Sequence, residues 1–262
     1  MQKSIYSGGC RVFYDVTGPD DAPAVILIHG YGVNRKMWNP QLDALKNYRV
    51  INVDVRGHGL SRPCHNFTVK NAADDILNIL DAENCKDAVL VGLSMGGYIT
   101  QEYAANYGKA KGYMVIGSTP IFIPYKKWEK IGLKYSAPIF NLYPWETLKK
   151  QMAKASLLDT DARATLYEMF GEMTKREFVA SWNGIATCLN ERDVVFDAPL
   201  LVSCGEFDKT GTIKKHLPDW PKYYPGCRVE TIANAAHVAN MDNPSGFNKL
   251  MLGFIEECNK QP

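Results

Sequence analysis

Ala88-Val89-Leu90-Val91-Gly92-Leu93-Ser94-Met95-Gly96-Gly97 is the stretch from which the rest of this chain is best read. An apolar run from Ala88 to Val91 leads into G-x-S-x-G, and a helical pattern from Ile99 to Tyr107 follows. A serine on a sharp strand-to-helix turn sits on a strained backbone, so the positions around it must be small. Gly92, Gly96 and Gly97 meet that need. The helix that follows points its first N–H groups at the space beside the serine, where a reaction can develop negative charge. G-x-S-x-G alone arises often by chance; its place between a strand and a helix makes Ser94 a candidate nucleophile.

Outward from that turn, short apolar runs alternate with helical periodicity. Ala24 to Ile28, Tyr48 to Val53, Tyr113 to Ile116, Leu200 to Ser203 and Arg228 to Ile232 read as strands. The continuous apolar run of Ala24 to Ile28 is that of a strand buried on both faces. Val69, Ala72, Ala73, Ile76, Leu77 and Leu80 follow i, i+3, i+4 spacing, with Thr68 placed as their N-cap. Phe247, Leu250, Met251, Phe254 and Ile255 repeat the pattern after Pro244. Ser4–Ser7 and Cys10–Val16 flank Gly8-Gly9, a hairpin signature. Strands alternating with helices predict an α/β fold, a mostly parallel sheet with helices on both faces. The stretch 119–197 breaks the alternation: it holds helical patterns only, and three of the five tryptophans, Trp128, Trp145 and Trp182. It reads as a helical cap inserted between two strands, so that 1–118 and 198–262 form the two parts of one core.

A serine needs a base. His29 and His58 each follow a strand in a glycine-containing turn and read as loop-shaping, while His65 and His216 have no motif around them. His237, in Asn234-Ala235-Ala236-His237 directly after the last strand, lies where an α/β sheet places its ligands. The base in turn needs an acid to fix its tautomer. Glu206 and Asp208 both follow the Leu200–Ser203 strand, and the order serine, acid, histidine suits this architecture.

These residues also carry a resemblance. His29-Gly30-Tyr31-Gly32, Trp38 with Pro40, Asp54 through Ser61 (D-x-R-G-H-G-x-S), Gly92–Gly97, Gly205–Asp208 and Ala236-His237 ahead of Asn243-Pro244 are similar to the α/β-hydrolase family over nearly the whole chain. The likeness is greatest to its small serine esterases and lactonases, the branch that includes 3-oxoadipate enol-lactonases. The resemblance implies a triad of Ser94, Asp208 and His237, preferring Asp208 over Glu206. It implies an oxyanion hole built from the backbone N–H groups of Tyr31 and Met95. Two positions depart from the pattern: Ala236 stands where glycine is usual, and Asp242, where glutamate is common, is expected to be peripheral.

The expected activity is therefore cleavage of a carboxylic ester or lactone through an acyl-enzyme, with no metal or organic cofactor. A C–C bond or thioester hydrolase, or a small-molecule receptor with a retained triad, is the alternative. Trp128, Tyr135, Phe140 and Trp182 are candidates to line an acyl pocket, though at helical spacing they also suit the cap's own core. The 262 residues are 46% hydrophobic with a net charge of +2, and their charges are interspersed. That gives no nucleic-acid footprint and no polybasic membrane patch. The N-terminus lacks the apolar segment of a signal peptide, and no apolar run approaches the ~18 residues of a membrane span. Seven widely spaced cysteines without C-x-x-C suggest neither a disulfide framework nor a zinc site, and a cytoplasmic setting.

Overall fold

The computed structural model describes residues 1–65, 67–85 and 87–260; residues 66, 86, 261 and 262 of the segments above lie outside the described residues. Eight strands form one sheet in the order β1-β2-β4-β3-β5-β6-β7-β8. The first two, β1 (Gln2–Ser7) and β2 (Cys10–Thr17), make the expected hairpin, with Gly8 and Gly9 at φ +54° and +79°. Such a turn suits glycine because both central residues take positive φ. β2 also pairs antiparallel with β4 (Arg49–Val53). All later pairings are parallel, through β3 (Ala24–Ile28), β5 (Val89–Leu93), β6 (Gly112–Ile116), β7 (Leu200–Gly205) and β8 (Arg228–Ile232).

The side-chain period of two divides each buried strand between two cores. In β3, Ile26 and Ile28 join one cluster while Val25 and Leu27 join the other. The first cluster is closed by α2 (Val69–Ala82) and α3 (Met95–Asn106), through Ile76, Ile79, Ile99 and Tyr103. Thr68 caps α2 by accepting the Asn71 amide, as its position predicts. The second is closed by α12 (Pro244–Lys260), through Phe247, Met251 and Phe254, together with Trp38 just before the short α1 (Asn39–Leu42). Three further single turns, α9 (Ile213–His216), α10 (Trp220–Tyr223) and α11 (Ala239–Asp242), lie in the loops around β8.

Between β6 and β7 the described residues form helices and no strand: α4 (Lys127–Lys134), α5 (Ala137–Asn141), α6 (Trp145–Ser156), α7 (Thr160–Gly171) and α8 (Lys175–Ala186). They are seated by aromatic packing. Phe178 of α8 is fully buried, with its ring 4.3 Å from Tyr31, 5.1 Å from Trp145 and 5.4 Å from Phe140 between centroids.

The turn after β4 explains D-x-R-G-H-G-x-S as a structural motif. Asp54 accepts the amides of Arg35 and Leu60, at 2.9 and 2.8 Å. Arg56, buried, forms a two-pronged pair with buried Asp75 of α2 at 2.6 and 2.5 Å. Ser61 donates to the Asp54 carbonyl and accepts the Phe13 amide. No described helix is long and apolar enough to cross a membrane.

Against the expectation from cysteine spacing, two of the cysteines pair. Cys10 and Cys64 are joined in a disulfide, with Cα atoms 5.5 Å apart. Their separation of 54 residues carries no local signature. It is the pairing of β2 with β4 that brings the start of one strand beside the turn that follows the other. Wide spacing along the chain thus does not keep these two cysteines apart. Cys204 is buried and unpaired, as expected of a small apolar side chain. Loop-closure entropy for a ring of that size corresponds to about 4 kcal/mol. Reduction, or Cys64→Ser, is therefore expected to lower the unfolding free energy by about 2–4 kcal/mol, read from urea titrations with and without a thiol reductant. Equal midpoints under both conditions would contradict it.

Candidate active site

The strand order reverses direction at β3, whose two neighbours are β4 on one side and β5 on the other. Loops leaving the carboxyl ends of β3 and β5 therefore diverge, and an α/β sheet binds ligands in the crevice they open. Ser94 stands there, immediately after β5, with φ +56° and ψ −113°. Its amide donates to the Ile116 carbonyl of β6 at 2.7 Å, and its carbonyl accepts from the Ser118 hydroxyl at 2.7 Å. The glycines have the steric role read from the sequence. A Cβ on Gly92 would fall 2.2 Å from the Gly96 carbonyl oxygen, and one on Gly96 would fall 2.1 Å from the Ile28 carbonyl oxygen.

The structure brings Ser94, His237 and Asp208 into one hydrogen-bonded chain. His237 Nε2 lies 3.0 Å from Ser94 Oγ, and His237 Nδ1 lies 3.0 Å from Asp208 Oδ2. A carboxylate only accepts, so Nδ1 carries the proton and Nε2 presents its lone pair to the serine. Burial alone would raise the Asp208 carboxyl; the hydrogen bond and charge of His237 and the Thr210 amide outweigh it and hold the carboxyl below its ordinary range. Asp208 Oδ1 accepts that amide at 2.8 Å. Glu206, the other carboxylate weighed from the sequence, instead accepts the Asn234 amide at 3.0 Å and holds the turn after β8.

The remaining histidines lie elsewhere. His29 is buried and spans two loops: Nδ1 lies 2.7 Å from the Gly30 carbonyl and Nε2 accepts the Val55 amide at 3.0 Å. Desolvation pushes its imidazole down to about 4, and that of buried His58 to about 3, so both are neutral spacers. His216 packs against the Tyr125 ring, and His65 is exposed.

Tyr31 and Met95 both border the cavity above Ser94. Met95 opens α3, and the chain at Gly30 passes so close that a Cβ there would lie 3.7 Å from Ser94 Cβ. The cavity measures about 740 Å³, and the five helices after β6 supply much of its wall. Trp128, Phe140 and Trp182 line it, with Met37, Met152 and Phe170 among the side chains not anticipated. Tyr135 does not belong with them: as the C-cap of α4 it is two-thirds exposed and lies outside the cavity wall. Trp182 also packs within the helices, donating to Ser136 Oγ at 2.7 Å and lying 5.2 Å from Phe140, so wall and helical core are the same side chain.

Asp242, expected to be peripheral, is not. One carboxylate oxygen accepts the Ala236 amide at 2.7 Å, next to His237. The other accepts the amides of Leu158 and Asp159 at 2.7 and 2.9 Å, between α6 and α7. The Val238 amide donates to the Ser156 carbonyl at 3.0 Å and reinforces the link. The loop that carries His237 is thus tied to the overlying helices. Sequence reading missed this because the two segments are some eighty positions apart.

Comparison with known proteins agrees with this architecture. The model of the alpha/beta hydrolase family matches residues 25–250. The chain is 26% identical over 256 residues to 3-oxoadipate enol-lactonase 1 of Acinetobacter baylyi, covering 95% of this chain and 94% of that protein. Among solved structures, an esterase from Thermogutta terrifontis superposes with a TM-score of 0.83 at 20% identity, covering 98% and 99% of the two chains. The enol-lactonase from Burkholderia xenovorans LB400 superposes with a TM-score of 0.82 at 21% identity, covering 97% and 100%. At such identities the structural likeness speaks for the fold alone.

Removing the Asp242 carboxylate leaves three amides without their acceptor. Asp242→Ala is expected to lower the unfolding free energy by about 1–3 kcal/mol, measured by urea titration. A change indistinguishable from zero would return Asp242 to the periphery.

Proposed function

The chain belongs to the alpha/beta hydrolase family, and we propose that it is a serine hydrolase that cleaves a carboxylic ester or lactone of an apolar acid. The observation that supports this reading most is the Ser94–His237–Asp208 hydrogen-bond chain opening onto a large cavity walled mainly by apolar side chains. The matched lactonase and the superposed esterase have names that agree with it.

In the proposed reaction Ser94 Oγ attacks the substrate carbonyl while His237 Nε2 takes the hydroxyl proton. The carbonyl becomes an oxyanion held by the backbone N–H groups of Tyr31 and Met95. Collapse of the tetrahedral intermediate breaks the bond to the leaving oxygen, which receives the proton from His237. Water then adds to the acyl-serine, giving up its proton to His237, and the second collapse returns that proton to Ser94 Oγ and releases the acid. Asp208, kept ionised, stabilises the imidazolium in both halves. The reading requires no metal or organic cofactor. In it, residues 119–197 act as a cap over a core made of 1–118 and 198–262, and the partner is a small molecule. Trp128, Phe140 and Trp182 belong to the acyl wall.

Ser94→Ala is expected to fold normally and to lose turnover by about 10⁴- to 10⁶-fold, with fluorophosphonate labelling abolished. Asp208→Asn is expected to lower kcat by about 10⁴-fold, and Glu206→Gln to leave it near the wild-type value. Labelling at another serine, or a larger loss from Glu206→Gln, would refute the assignment.

Acyl selectivity gives a separate test. Each methylene buried in an apolar wall contributes about 0.8 kcal/mol, so kcat/KM on p-nitrophenyl esters should rise about fourfold per carbon and fall once the cavity is full. Phe140→Ala should move the optimum to longer chains. An optimum at acetate, unmoved by that change, would count against the acyl-pocket reading.

A further inference from the structure

Large apolar side chains cluster on the outer surface of α4. Trp128, Ile131 and Tyr135 are 67%, 57% and 67% exposed. At 3.6 residues per turn they fall within about 60° of one another around the helix, so they form a single stripe. Ile139 and Leu142, in and after α5, extend the apolar surface at 54% and 78% exposure. None of α4's residues is buried. Exposed apolar patches of this kind on a folded chain mark a binding surface.

Charge identifies the occupant. Lys126, Lys127, Lys130 and Lys134 stand among residues 124–145 against a single acid, Glu129. Helical spacing sets Lys127, Lys130 and Lys134 along one flank of the stripe. Glu129 is turned to the other flank, where it accepts the Lys126 amide at 2.9 Å and lines the cavity. Lys175 adds a further ammonium beside α5, donating to the carbonyls of Asn141 and Tyr143. A second copy of this chain meeting this face about a two-fold axis would set lysines against lysines. A short helix with tryptophan, isoleucine and tyrosine on one side and lysines beside them suits an anionic bilayer surface: the rings and the isoleucine enter the headgroup boundary and the ammonium groups meet the lipid charges.

We propose that α4 and the start of α5 dock the protein peripherally on an anionic lipid surface. Trp128 and Gly132 belong both to this face and to the cavity wall, so the docked face borders the cavity. This surface adds to the hydrolase reading without depending on it. A chain without a spanning helix can still lie on a membrane.

The test is co-sedimentation of the full chain with vesicles of phosphatidylcholine alone and of phosphatidylcholine mixed with phosphatidylglycerol, with circular dichroism and melting temperature as controls for folding. Binding is expected with the anionic vesicles, weakening as salt rises, and with a blue shift of tryptophan emission that Trp128→Phe removes. Lys127→Glu with Lys134→Glu should weaken partitioning by at least about tenfold. Ile131→Ser with Tyr135→Ser should do so through the lost apolar contact. Wild type that stays in the supernatant with anionic vesicles would overturn the proposal. So would variants that bind as wild type does. Concentration-dependent self-association abolished by Ile131→Ser with Tyr135→Ser would assign the face to a second copy instead, and capture of an acidic protein without vesicle binding would assign it to a protein partner.

Discussion

Ser94 is held in a backbone conformation that an L-residue adopts only under constraint, and the surrounding fold supplies it. The hydrogen bond from its amide to the Ile116 carbonyl, the hydroxyl of Ser118 and the near-contact of α3 with the end of β3 act together. The first two come from the end of β6 and the third from the end of β3. The turn can hold its shape only because β3, β5 and β6 lie side by side in parallel. The glycines around the serine are consequences of that crowding, since any Cβ at 92 or 96 would meet backbone.

The hydrogen-bond chain beyond Ser94 depends on a second set of supports. Asp208 and His237 come from loops after adjacent strands, and those loops are bound to one another. The Glu206 and Phe207 amides donate to Ile232 and Ala235, and the Glu206 carboxylate returns a contact to Asn234. Asp242 then carries the linkage up to the helices between β6 and β7. The overlying helices are thus joined to the loop that carries His237 by hydrogen bonds to the Asp242 carboxylate, and to the β3 loop by the packing of Phe178 on Tyr31. A disturbance in those helices reaches both sides of the serine.

Burial sorts the polar groups in this region. His29 and His58, wholly enclosed, are kept neutral by desolvation, and His29 ties the loop after β3 to the turn after β4. Asp208 is nearly as enclosed but remains ionised, because an imidazole and an amide are aimed at it. The cavity above them is mostly apolar, which strengthens each of the few polar contacts at its floor.

The sequence by itself determined the sheet, the elbow at Ser94 and the candidacy of His237. Strand alternation, glycines at a turn and a histidine after a strand end are local patterns, and local sterics enforce them. Its charge pattern, averaged over the chain, concealed the lysines of α4, since only a folded helix sorts them to one flank of an exposed stripe. The packing of the helices likewise decided that Trp182 lines the cavity and that Tyr135 is left exposed. Tertiary structure alone decided that Cys10 meets Cys64 and that Asp242 bridges two distant segments. These contacts join residues far apart in the chain. Such contacts arise from the directions in which loops leave a sheet, and spacing in the sequence does not encode them.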